Sequence, residues 1–269
     1  MKNIKVAVLR TAGTNCDNET AFAFEAAGAE AEFVHVNDFA KKENGFSEYH
    51  ILALPGGFTY GDDIASGKIL ANELKFKLVD ELQKFINEGK LIIGICNGFQ
   101  ILVKAGLLPN LSGDFRFIEA TLTLNDSNKF EDRWVYLKKV KNRKAKNKCI
   151  WVEGIEDTIY LPVAHGEGKF IPKDRKVLDR IKENDLIVFE YVDEKGVRKG
   201  YPHNPNGSIE SIAGICDKTG RIFGLMPHPE RHISPYQHPA WTRRGKRPEY
   251  SGDGFKIFKN GVDFAKKRL

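Results

Sequence analysis

Cys96 stands in the run LIIGICNGFQILVKAG (residues 91–106), between Gly94 and Gly98, where an apolar stretch gives way at once to a segment of helical periodicity. A cysteine at such a strand-to-helix turn is a nucleophile elbow. The tight turn exposes the thiol, flanking glycines remove side chains that would clash, and the helix N-terminus favours a thiolate. A thiolate there attacks carbonyl carbon. Because cysteine is also a common core residue, the reading needs a proton acceptor elsewhere in the chain. The segment RIFGLMPHPER (221–231) supplies one: an apolar strand ends near Pro227, and His228 and Glu230 follow two residues apart. Positions i and i+2 of an extended chain face the same way. The carboxylate can therefore hold one imidazole nitrogen while the other faces the thiol. A third strand end, Leu54-Pro55-Gly56-Gly57-Phe58, lets the backbone aim the Gly57 amide into the same space. With the Asn97 amide it would stabilise an oxyanion. Each motif alone is weak; the ordered set of three is specific.

Positioning these groups takes a sheet. Residues 4–9, 31–36, 50–54 and 91–95 are nearly continuous apolar runs bounded by Gly, Pro, Asn or Asp, as buried parallel strands should be. Between them, 18–27 and 70–88 read as helices stopped by Gly28 and Gly89. The alternation predicts a three-layer α/β/α arrangement with a mainly parallel central sheet and the site at its carboxyl edge, in one domain spanning 1–269. After Gly106 the texture changes to alternating strands at 120–124, 134–140, 186–192, 209–215 and 221–226, suited to antiparallel additions. An amphipathic helix follows at 254–267, and the polar, basic stretch 236–253 reads as a surface loop.

The composition of the 269 residues, 41% hydrophobic and 29% charged, is that of an ordinary globular chain. The net charge of +6 is local: residues 133–148 hold eight basic side chains and no acidic one, and without them the balance would turn slightly negative. One positive strip, rather than a generally nucleic-acid-coating surface, is the implication. Cys16, Cys96, Cys149 and Cys216 show neither a CxxC pair nor metal-ligand spacing, and read as free thiols of a reducing compartment with no metal site. No apolar run is long enough to cross a bilayer, and the N-terminal one is too short for a signal peptide, so the expected location is the cytoplasm.

The segments GICNGFQ (94–100), PGGFTYGDD (55–63) and MPHPERH (226–232) resemble the nucleophile, oxyanion and His-Glu motifs of class I glutamine amidotransferases. A narrower resemblance runs along nearly the whole chain, through GTNCDNE (13–19), FTYGDDIASGKI (58–69), LNDSNKFEDRWVYLK (124–138), AHGEGKF (164–170) and NPNGSIESIAGICD (204–217). These are similar to the glutaminase subunits of phosphoribosylformylglycinamidine synthases of purine biosynthesis. The resemblance implies a flavodoxin-like fold and release of ammonia from L-glutamine through a thioester. Cys96 would be nucleophile, His228 base and then acid, Glu230 its orienter, Gly57 and Asn97 oxyanion donors, and Gln100 a substrate contact. It also implies an ATP-dependent synthetase partner, with room for a small accessory subunit. ATP and magnesium would sit on that partner, since nothing here resembles a Walker A loop, and this chain would carry no cofactor. Docking is expected around Cys96, completing the loop 55–61, with the 133–148 strip or the 236–253 loop extending the contact. No roles follow for Asp62 to Ser66; Cys16, in a strand-end loop, could line the site but is expected to be a packed or unreactive thiol, and His165 either touches substrate or braces the site. Rival readings are the glutaminase subunit of another class I amidotransferase, a different cysteine hydrolase, and a non-catalytic RNA-binding protein using the basic strip, although an aromatic RNA-binding signature is absent.

Overall fold

In the computed structural model, which describes residues 3–39, 45–141, 149–243 and 251–269, the apolar runs of the first hundred residues form parallel strands joined by helices. The chain runs β1 (Lys5–Arg10), α1 (Asp17–Ala26), β2 (Glu30–His35), α2 (Val36–Phe39), β3 (Ile51–Leu54), α3 (Lys68–Lys77), α4 (Val79–Asn87), β4 (Leu91–Ile95) and α5 (Asn97–Lys104). It continues with β5 (Ala120–Thr123), β6 (Glu131–Lys139), β7 (Thr158–His165), β8 (Lys169–Pro172), α6 (Arg175–Glu183), β9 (Ile187–Val192), β10 (Ile212–Cys216), β11 (Ile222–Leu225) and α7 (Phe255–Arg268). Nine strands make one sheet in the order β2-β1-β3-β4-β11-β10-β9-β6-β7, and β5 pairs with β8 apart from it. From β2 to β11 the pairings are parallel; from β11 onward they are antiparallel. No helix among the described residues is long and apolar enough to cross a membrane.

Parallel neighbours end on the same side, and this brings the three strand-end motifs together. β3 and β4 pair with Leu54 opposite Gly94, and β4 and β11 with Ile95 opposite Leu225. Residues 55–58, 96–98 and 226–231 therefore leave the sheet side by side, and the loop after β1, beside β3, joins them. The far edge reaches the same place from above: Pro162 O accepts from His228 N at 2.8 Å. Pro162 itself sits on β7, an edge strand, where a missing N–H breaks no ladder bond.

Several details depart from the sequence expectation, and one is that the strand expected at 120–124 pairs with β8 outside the main sheet instead of adding to it. The helix expected over 70–88 is two helices, broken at Leu78 (φ −124°, ψ 15°). Its buried residues Leu70, Leu74, Leu78 and Leu82 recur every four positions, which drifts about 40° per step round a straight helix. After the break, α3 packs against α5 while Leu82 and Phe85 of α4 stay buried. The strand expected over 209–215 starts only at Ile212, because Glu210 and Ser211 take positive φ in a turn. β7, β8 and α6 lay outside the expected elements; α6 is nonetheless signalled by Asp174, whose side chain accepts from Val177 N at 2.8 Å as an N-cap. Finally, the strip expected over 133–148 is divided: Arg133 lies two residues from the site end of β6, while Lys138, Lys139 and Lys141 lie at or beyond its other end, too far to extend a contact round Cys96. The opposite end, Glu131, pairs with His165 beside the site, seven residues and about 20 Å away. The rest of the strip, from 142 to 148, lies outside the described residues, as do 244–250 of the expected surface loop.

Candidate active site

The turn at Cys96 has the conformation the chemistry requires. Cys96 takes φ 52° and ψ −106°, a strained combination for a residue with a side chain, directly before α5. The crossing of β3 and α5 is close enough to demand glycine: a Cβ on Gly98 would lie 1.9 Å from Leu54 O. Cys96 is buried, with Sγ 3.6 Å from Ala164 O.

His228 and Glu230 follow β11 on a short turn (Pro229–Arg231), and both are buried. Nδ1 of His228 lies 2.6 Å from Glu230 Oε1, while Nε2 has no hydrogen-bond partner among the described residues. Burial opposes a charge on the ring, but the carboxylate and the neighbouring thiols outweigh it, so His228 holds its proton well above the ordinary histidine range. Gly56 forms the wall between the groups: a Cβ there would lie 2.8 Å from His228 Cε1 and 3.3 Å from Cys96 Cβ. Residues 56 and 58 bond to the loop after β1 (Cys16 N to Gly56 O, 3.2 Å; Phe58 N to Gly13 O, 2.9 Å), and Gly57 stands between them, opposite Thr14. The structure thus brings Cys96, His228, Glu230, Gly57 and Asn97 to one edge of the sheet.

All eight residues of α5 are buried, and its polar members Asn97, Gln100 and Lys104 share one stripe, three and four residues apart. Each has work for its polar atoms, as burial demands. Asn97 accepts from Thr59 Oγ1 (2.7 Å) and donates to Asp62 Oδ1 (3.1 Å) and to Gln100 Oε1 (3.0 Å). Gln100 Nε2 donates to Glu167 O at 2.6 Å. Lys104 Nζ donates to Ser66 O at 2.6 Å and lies 3.5 Å from Glu167 Oε2, and burial lowers its pKa against the pull of Glu167. Ser66 closes the net on Asp62 Oδ2 at 2.8 Å. Gln100 therefore ties the loop after β7 to the helix through its own amide. Thr59, Asp62, Lys104 and Glu167 were not legible as site residues; the one available signal was the i, i+3, i+7 polar stripe in an otherwise apolar helix.

His165 braces the site. Nδ1 lies 3.2 Å from Asn125 Oδ1 and Nε2 3.5 Å from Asn206 Nδ2. Burial, reinforced by the charge of His228, pushes its pKa down to about 3. Cys16 is packed, as expected, but its surroundings are not inert: Arg231 Nη2 donates to its Sγ at 3.1 Å, and a Cβ on Gly56 would lie 3.2 Å from that sulfur.

Comparison with known proteins places this geometry. Residues 3–265 match the model of the CobB/CobQ-like glutamine amidotransferase domain. The chain is 48% identical over 271 residues to phosphoribosylformylglycinamidine synthase subunit PurQ of Dehalococcoides mccartyi, covering 99% of this chain and 100% of that one. It is 46% identical to the PurQ subunit of Archaeoglobus fulgidus, covering 99% and 98%. A solved structure of PurLQS from Thermotoga maritima contains a chain that superposes with a TM-score of 0.70 at 31% identity, covering 98% of this chain and 99% of that one. A glutamine amidotransferase from the same organism, 18% identical with a TM-score of 0.53, shares the fold.

Proposed function

The chain belongs to the CobB/CobQ-like glutamine amidotransferase family, and from that premise we propose that it works as the glutaminase subunit of phosphoribosylformylglycinamidine synthase. It hydrolyses L-glutamine and delivers the ammonia to an ATP-dependent synthetase, which converts formylglycinamide ribonucleotide to the amidine in purine biosynthesis. The observation that carries the mechanism is the buried His228–Glu230 hydrogen bond of 2.6 Å beside the Cys96 turn.

Cys96 Sγ, its proton already carried by His228 Nε2, attacks the side-chain amide carbon of glutamine as a thiolate. The oxyanion that forms is met by the N–H groups of Gly57 and Asn97. His228 then protonates the departing nitrogen, which leaves as ammonia, and the Sγ–carbon bond remains as a thioester. Water, deprotonated by the same imidazole, cleaves the thioester to glutamate and returns the thiol. Glu230 holds Nδ1 and offsets the imidazolium charge. Gln100 would contact the substrate's side chain, and its hydrogen bonds with Asn97 and Glu167 keep the pocket walls in place. A thiol–imidazole–carboxylate set needs no Lewis acid, so no metal or cofactor enters the reaction in this chain; ATP and magnesium belong to the synthetase. The complex, with its small accessory subunit, works in the cytoplasm, and residues 1–269 act as one domain.

The test is glutamate formation with and without the synthetase, ATP, magnesium and the ribonucleotide, together with labelling by a glutamine-analogue electrophile. The label should map to Cys96, and Cys96→Ala should abolish both signals. A label on Cys16, or full activity in Cys96→Ala, overturns the assignment.

A further inference from the structure

That mechanism uses no lysine, yet Lys104 is buried in the helix that follows the nucleophile turn, seven residues and about 10 Å along α5 from Asn97. A buried ammonium must be paired. Lys104 Nζ donates to Ser66 O at 2.6 Å and lies 3.5 Å from Glu167 Oε2, and that same carboxylate oxygen accepts from Ser66 N at 3.2 Å. Buried Ser66 is thus held through both of its backbone polar groups, one by the cation and one by the counter-ion. Glu167 is tied back to α5 in turn, since its carbonyl accepts from Gln100 Nε2 at 2.6 Å. Ser66 closes the stretch that Gly57 begins. The two oxyanion donors, the N–H groups of Gly57 and Asn97, sit on different elements, so their separation depends on how residues 57–66 lie on α5. Near Gly57 the stretch is fixed by Asn97, which accepts from Thr59 Oγ1 at 2.7 Å and donates to Asp62 Oδ1 at 3.1 Å. At Ser66 it is fixed by Lys104 and Glu167. Between these anchors Tyr60, Asp62 and Ile64 take positive φ, a conformation that persists only where the surroundings impose it.

We propose that Lys104 is a positioning residue of the glutaminase reaction: by clasping Ser66 and Glu167 it holds residues 57–66 on α5 and so sets the Gly57 N–H against the Asn97 N–H. The inference rests on the reading of those two groups as the oxyanion donors. Lys104 touches neither substrate nor thiol; it acts through the loop. Its charge matters as well as its reach, because Asp62 and Glu167 repel each other across the same stretch and both attract the ammonium. Lys104→Met keeps an unbranched apolar stem in the helix and removes the charge and the donors. Ser66 O then loses its donor, and the two carboxylates lose the cation that offsets their repulsion. The stretch is released at one anchor only, so the oxyanion donors drift apart while the sheet and the nucleophile turn stay as they are.

The experiment measures glutaminase kinetics of the complex reconstituted with its synthetase, and amide hydrogen exchange of residues 57–68 and of β4 in the same complex. Lys104→Met should lower kcat by about 10-fold to 100-fold while KM for glutamine changes less than about threefold, because misplaced oxyanion donors are missed in the transition state and not in the bound amide. Exchange should rise over 57–68 and not in β4. Thr59→Val frees the other anchor of the same stretch, so the double variant should lose less than the product of the two single losses. Lys104→Met/Glu167→Gln removes the charge of both partners and keeps the test open where the single variant fails to fold; it too should show raised exchange over 57–68 and a kcat below wild type. A folded Lys104 variant with wild-type kcat, a lowered kcat without raised exchange, or losses that multiply with those of Thr59→Val overturns the assignment. A wild-type complex inactive on glutamine, in which exchange over 57–68 still depends on Lys104, would overturn the glutaminase reading while supporting the clasp.

Discussion

At the scale of single residues, His228 and Glu230 divide one task. Replacing His228 by Ala removes the proton carrier, and turnover should fall by about 10³-fold. Glu230→Gln leaves an oxygen able to accept from Nδ1 and removes only the charge that supports the imidazolium, so its loss should be smaller; wild-type rates in both variants would remove the pair from the mechanism. His165 carries a different signature. Its pKa near 3 in the folded chain, against an ordinary 6.5, means that the unfolded chain takes up a proton between those values and the folded chain does not. Its contribution to stability is complete above pH 6.5 and is lost as pH falls toward 3, at about 1.4 kcal/mol per unit for one proton. Denaturant unfolding of His165→Gln between pH 4 and 6 should show a correspondingly flatter dependence, whatever the variant costs at neutral pH. An unchanged slope would mean that another group governs acid lability.

At the scale of elements, the site depends on how close β3, β4 and α5 run. Gly98→Ala would push a methyl into backbone, not into a side chain that could turn away, since the contacts at 1.9 and 2.7 Å are Leu54 O and C. We expect a loss of about 3 kcal/mol or more, toward the upper end of overpacking penalties. Activity should fall too, because separating β3 from α5 separates the Gly57 and Asn97 amides. Unfolding measurements on the soluble variant, paired with glutaminase rates, check both. A variant of wild-type stability would show that the elbow tolerates more space than this packing allows. The polar stripe of α5 adds a second demand on the element: three polar residues can be buried there only because the loops carrying Asp62, Ser66 and Glu167 come to meet them.

At the scale of the molecule, the question is coupling to a partner. The loop 57–64 holds positive φ at Tyr60, Asp62 and Ile64, none of them glycine. Ile64 is 87% exposed, and Phe58 and Phe130 stack 6.3 Å apart beside the site while both remain exposed. Strain and exposed apolar surface at one mouth suit a loop whose alignment is completed by docking. Glutaminase activity should therefore rise by about tenfold or more in the complex, equivalent to about 1.4 kcal/mol of loop alignment. Phe58→Glu should weaken assembly, whereas charge reversal at Lys138 and Lys141, at the far end of β6, should leave it intact. An isolated chain as active as the complex would defeat the gating, and assembly sensitive to Lys138 but not to Phe58 would move the docking face.

The parallel strands, the turn at Cys96, the His228–Glu230 pair and the family resemblance were all legible in the chain, because each is written in consecutive residues: an apolar run, glycines at fixed offsets, a carboxylate two positions from a histidine. Local spacing determines backbone conformation and the side to which a residue points. What the tertiary structure alone decided is which loops share space. Sheet order made neighbours of β3, β4 and β11, and with them it brought Cys16 from the loop after β1 against His228, and Glu167 from the loop after β7 against Lys104. It also sent Lys138 and Lys139 of β6 away from the mouth the strip was expected to border, while Arg133 stays near it. Those contacts join residues 63 and 212 positions apart, and nothing in the local sequence records a pairing made only by the order in which strands assemble into a sheet.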